Sequence, residues 1–74
     1  MRRKEDPISK RILKFLEPAR EPLETKEIEE LLKDISRTKV LYRLNLLRGD
    51  GLVKGKPVGS GKGTWIWWVP EAFG

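Results

Sequence analysis

Residues 36–69 constrain the fold of this chain more than any other stretch. Val40, Leu44 and Leu47 recur at i, i+4 and i+7 with Leu41 beside them, which is one apolar stripe of a helix. Ser36 stands where an N-cap is wanted, and Gly49-Asp50-Gly51 is a strong stop, because glycine accepts the left-handed conformation that ends a helix. Beyond it the period changes. In residues 64–69, Trp65, Trp67 and Val69 alternate with Ile66 and Trp68, as in a strand with two different faces. Residues 52–58 supply the partner strand, and Gly59-Ser60-Gly61-Lys62-Gly63 forms the tip between them. Pro57 removes a ladder donor and so predicts an exposed outer edge.

Upstream the pattern is helical twice. Asp6-Pro7 reads as an N-cap followed by proline at the first helical position, where no N–H is needed. Ile8, Ile12, Phe15 and Leu16 give the stripe of a helix over 7–17, with Lys10, Arg11 and Lys14 opposite, and Glu17-Pro18 ends it. The segment from Pro18 to Pro22 is a stiff connection, and Leu23 offers a brief extended pairing. Thr25 is placed to cap a second helix over 26–34, in which Ile28, Leu31 and Leu32 face inward and Glu27, Glu29 and Glu30 suit the positive end of the helix dipole. The break at Asp34-Ile35 before the third helix, 37–48, is short enough for a helix-turn-helix.

With 74 residues, no cysteine and no histidine, the chain is a single domain, 1–74, whose fold rests on packing alone. Charged residues make up 36%, against about 25% in an average domain. Together with the lack of glutamine and a single asparagine, this is the composition expected of a heat-adapted protein. No apolar run reaches membrane-spanning length, and Met1-Arg2-Arg3-Lys4 leads into Glu5-Asp6 rather than a signal-peptide core, so a cytoplasmic location is expected.

Charge is segregated along the chain. Residues 1–16 are net +4, residues 17–34 net −4, and residues 36–69 net +6, with Asp50 the one acid in the last group. A cationic helix beside a cationic hairpin suits a nucleic-acid backbone, since each lysine or arginine near a phosphate releases condensed counterions.

Three helices with a tight turn between the second and third, then a hairpin, together with the third-helix segment Val40-Leu41-Tyr42-Arg43-Leu44 and the glycine turn Gly51-Leu52-Val53, resemble the winged helix-turn-helix superfamily over residues 6–70. The resemblance implies an α+β fold, a three-helix core followed by a two-stranded β-hairpin wing. It also implies duplex DNA as partner, with the third helix in the major groove and the wing on flanking backbone or minor groove, as in a transcription regulator. At 100° per residue the far side of the third helix presents Thr38, Lys39, Tyr42, Asn45 and Leu46, with Arg43 at its border and Arg37 in the first turn. These, Leu46 excepted, are the candidate DNA contacts, and Lys54, Lys56 and Lys62 are those of the wing. Leu46 beside Tyr42 is an apolar spot that a DNA backbone does not require. It keeps open the alternative of a protein-interaction module within a larger transcription, replication or chromosomal complex. No long extra helix is available for a dimer interface, which favours a monomer.

Other chemistry is poorly supported. The Z-form-binding pattern wants asparagine and lysine four and eight residues before the tyrosine, and Thr38 and Asp34 stand there. The Gly-rich tip lacks P-loop spacing and precedes a strand. Without histidine or cysteine no nucleophile–base pair is visible, so neither catalysis, nor a metal, nor a cofactor is expected. Trp65 and Trp67 share a face, and at least one of them is needed as a core anchor.

Overall fold

The computed structural model describes residues 6–59 and 64–73, without the side chains of 72 and 73. Helix α1 spans Pro7–Leu16 and starts as its sequence dictates. Asp6 Oδ2 accepts hydrogen bonds from the N–H groups of Ile8 and Ser9, both at 3.1 Å. Strand β1 is only Leu23–Glu24, helix α2 is Thr25–Leu31, and helix α3 is Arg37–Gly49. The Ser36 hydroxyl accepts from the Lys39 N–H at 3.3 Å and so caps α3. Strands β2, Lys54–Val58, and β3, Thr64–Trp68, follow, and a short helix α4, Pro70–Phe73, which the sequence reading did not anticipate, closes the described chain.

The sheet is antiparallel in the order β1-β3-β2, with Leu23 opposite Trp67 and Gly55 opposite Trp67 on the other side. The brief pairing foreseen at Leu23 therefore adds a third strand to the hairpin. Pro57 lies in β2, an edge strand of the described sheet, where a missing N–H is harmless. Three helices with this hairpin are a winged-helix arrangement.

The core is Ile12, Leu16, Ile28, Leu32, Val40, Leu44, Leu47, Val53, Trp67 and Val69, drawn from α1, α2, α3, β3 and the turns between them. Four local expectations need correction. Thr25 is the first residue of α2 rather than its cap. The cap position is Glu24, whose N–H donates to Glu27 Oε1 at 2.8 Å, and the Thr25 hydroxyl is instead spent on β3. Helix α2 ends at Leu31, three residues early, because Leu32 leaves helical geometry at φ −119° and ψ 48° to bury its side chain. Of the three apolar residues foreseen inward here, Ile28 and Leu32 enter the core, and Leu31 stays 45% exposed. Leu52 and Val53 belong to the turn and not to β2. Both N–H groups reach back to the Leu47 carbonyl, at 3.0 and 3.4 Å, across the positive-φ Gly51, and Val53 plugs the core from there. Finally, Leu41 is only half-buried and stands outside the core, towards β3.

Candidate nucleic-acid interface

Helix α3 carries Arg37, Lys39, Arg43 and Arg48 and no acidic residue. Burial of Val40, Leu44 and Leu47 fixes its rotation, and Thr38, Lys39, Tyr42 and Asn45 are all exposed, as the helical wheel predicted. Tyr42 is 60% exposed and stacks on no tryptophan among the described residues; the Arg43 guanidinium lies 5.8 Å from its ring centre. Asn45 Nδ2 donates to the Leu41 carbonyl at 2.9 Å, which leaves its side-chain oxygen outward as an acceptor. Leu46 is half-buried at the edge of this face.

The structure divides the arginines. Arg43 points along the α1 flank, where Nη1 meets Asp6 Oδ1 at 3.0 Å. Asp6 thus serves α1 with one oxygen and Arg43 with the other. Only 28% of the Arg43 side chain is exposed, and its Nε is buried without a hydrogen-bond partner among the described residues. Arg37 lies on the opposite flank, with Nε 3.1 Å from Glu29 Oε2, yet 76% of its side chain remains in water. Exposed ion pairs of that kind are worth little and exchange readily. Neither carboxylate was foreseen as a partner. Asp6 read only as a cap and Glu29 only as a dipole-compensating acid, and nothing local in the sequence marks either as a ligand for α3.

Between α3 and β3 runs an open cleft of about 660 Å³. Arg37, Leu41 and Asn45 line one side, Thr25, Lys26 and Glu29 another, and Trp65 with Trp67 the floor. The two indoles stack, with centroids 5.5 Å apart and 26° between planes. Trp67 is 2% exposed, and its Nε1 donates to Thr25 Oγ1 at 2.8 Å, so this buried N–H is satisfied. The same hydroxyl approaches the Trp65 carbonyl at 3.5 Å. Trp65 is half-buried beneath Arg48, whose guanidinium lies 5.0 Å from its ring centre. Arg48 is therefore the arginine that joins helix to wing, a role its position in the last turn of α3 did not reveal.

The wing lysines lie elsewhere. Register pairs Lys54 with Trp68 and Lys56 with Ile66, whereas Gly55 and Pro57 pair with Trp67 and Trp65. Alternation then places Lys54 and Lys56 on the sheet face turned away from the tryptophan floor of the cleft. Both are exposed. Lys62 lies outside the described residues.

Away from this region, Arg11 makes a two-pronged pair with Asp34, at 2.7 and 3.0 Å, that ties α1 to the turn before α3. That hydrogen bond, supported by a backbone one, holds the Asp34 carboxyl below its ordinary value and raises the Arg11 guanidinium. Among the described residues no cluster of acidic residues is arranged to hold a metal ion, and no helix is long and apolar enough to cross a membrane.

No curated protein and no solved structure matches the chain. A protein-family model described as a helix-turn-helix domain matches residues 5–56, which runs from the start of α1 through α3 into β2. That match spans well over half of the 74 residues and includes both helices of the tight turn, so the chain belongs to the helix-turn-helix domain family.

Proposed function

We propose that this chain is a cytoplasmic winged-helix DNA-binding protein, of the kind that regulates transcription, and that it seats duplex DNA on the outward face of α3. The observation that carries the reading is a helix of 13 residues with four cations and no acid, on which Thr38, Lys39, Tyr42 and Asn45 all stand exposed. Lys39, Thr38, Tyr42 and Asn45 make the contact surface, and Arg37 can leave Glu29 for a phosphate because it is already mostly in water. Arg43 contributes chiefly by field and position, since Asp6 holds it. Lys54, Lys56 and Lys62 add positive potential on the wing. The composition supports a heat-adapted protein, and a melting midpoint in the ordinary mesophile range of about 45–65 °C would count against that.

The test is a titration of labelled duplex DNA at several salt concentrations. Three to four phosphate contacts give a slope of about −3 to −4 in log K against log salt. Lys39→Ala should weaken binding about five-fold or more, and Arg43→Ala distinctly less. Absence of binding at low salt, or a flat salt response, would sink the reading. The 60% exposed Tyr42 beside half-buried Leu46, neither packed on the core, favours a second reading as a protein-interaction module. A flat salt response would favour that reading.

A further inference from the structure

The sheet face turned away from the cleft sets an aromatic and apolar strip, which the duplex reading does not use, beside Lys54 and Lys56, to which that reading gives only a supporting positive potential. Trp68, Ile66 and Val58 share it, each half-buried, and none of the three packs on the core. Among the described residues no ring stacks on Trp68 and no cation covers it, in contrast to Trp65 and Trp67. Lys54 and Lys56 stand directly across from Trp68 and Ile66 on the β2 side, and Glu24 stands across from Ile66 on the β1 side. Cations line the β2 edge of an aromatic strip, whereas at the β1 edge the Glu24 side chain is taken up by the capping box of α2.

We propose that this face binds an unpaired DNA strand, one base stacking on Trp68 while its phosphates run along Lys54 and Lys56. Successive outward residues of a strand are about 6.7 Å apart, which suits neighbouring phosphates of an extended single strand. Because both lysines stand on β2, the backbone follows the β2 edge and the bases lie inward over Trp68 and Ile66. Stacking tolerates any base, because every base has a π-face, so the site is selective for unpaired strands and not for sequence. The site adds to the duplex surface of α3 and does not depend on it. A chain with both engages DNA that is paired on one side and open on the other.

The experiment uses the full chain and a fluorescein-labelled oligothymidylate of eight nucleotides, with a blunt duplex titrated in parallel. Trp68→Leu, which keeps an apolar side chain but not the flat ring, should weaken oligothymidylate binding about tenfold. Trp68→Phe should keep most of it, and both should bind the duplex within twofold of the parent. The Lys54→Ala/Lys56→Ala variant should lower the salt slope for the oligonucleotide by about 1.4, at about 0.7 per phosphate. The proposal is overturned if Trp68→Leu and Trp68→Phe bind oligothymidylate alike. It is equally overturned if polyglutamate competes as well as the oligonucleotide, which would indicate an acidic protein partner, or if oligouridylate binds more tightly than oligothymidylate. Duplex binding that fails while oligothymidylate binding survives sinks the α3 reading alone.

Discussion

Trp67 and Trp68 are neighbours in one strand and meet opposite fates. Trp67 is 2% exposed, hydrogen-bonded through Nε1, stacked on Trp65 and pressed against Gly55. Trp68 faces the other way, beside two lysines, with nothing from the core upon it. Residue type is the same, so the difference comes from the two-residue period of the strand and from which face α2 and α3 cover. A tryptophan is a core anchor when a hydroxyl is placed for its N–H and a glycine makes room for its ring. Without these it remains available for a ligand.

The largest expected effect tests that contrast directly. Trp67→Ala should cost about 3–5 kcal/mol, the usual range for truncating a buried aromatic. Trp68→Leu should cost about 1 kcal/mol, the ordinary price of a substitution. In a domain of this size each kcal/mol moves the melting midpoint by roughly 4–8 °C, so thermal melts separate the two easily. Equal melts would mean that the outer face is as structural as the inner one.

A smaller effect isolates the role of Gly55. A Cβ at this position would lie 2.6 Å from Trp67 Cε3 and 2.8 Å from Cζ3, distances that force the ring to move. Gly55→Ala should therefore destabilise by about 1–3 kcal/mol, as overpacking does, and the penalty should shrink in a Trp67→Leu background. Gly49→Ala is the control, since a Cβ there meets nothing within 4 Å. If Gly55→Ala melts like the parent and like Gly49→Ala, the indole has room that this packing does not allow.

Most of the architecture was legible because it is written in local patterns. The Asp6-Pro7 start, the Ser36 cap, the 40-44-47 stripe and the alternation around Trp67 each depend on residues within a turn or two of one another. What escaped reading depends on partners far apart in sequence. Thr25 has the residue type and position of a cap, and only the arrival of Trp67, 42 residues later, explains its use as an acceptor. Arg37 and Arg43 both read as contacts able to reach out from α3 until Glu29 and Asp6 come to their two flanks. The rotation of α3 was predictable, whereas which of its cations remain free was not. Lys54 and Lys56 were wing contacts implied by the family resemblance, and only the register with β3 shows which face they occupy.

The smallest expected effect concerns the surface counterpart of these buried contacts, the pair between Arg11 and Asp34. Both groups lie in water, so the pair is worth little and is screened by salt. Its sign is nevertheless definite. Because the Arg11 hydrogen bond lowers the Asp34 pKa in the folded state, the carboxylate stabilises the fold above its ordinary pKa of about 3.9. That contribution is lost as pH falls through the depressed folded value. The raised Arg11 remains charged throughout this range and adds no pH dependence of its own. Denaturant melts of the parent and Asp34→Asn should show a small gap at pH 7 that narrows in high salt and closes as pH drops below the carboxylate range. A gap that persisted unchanged into strong acid would mean that Asp34 acts through the shape of the turn before α3, and that its ion pair with α1 contributes nothing.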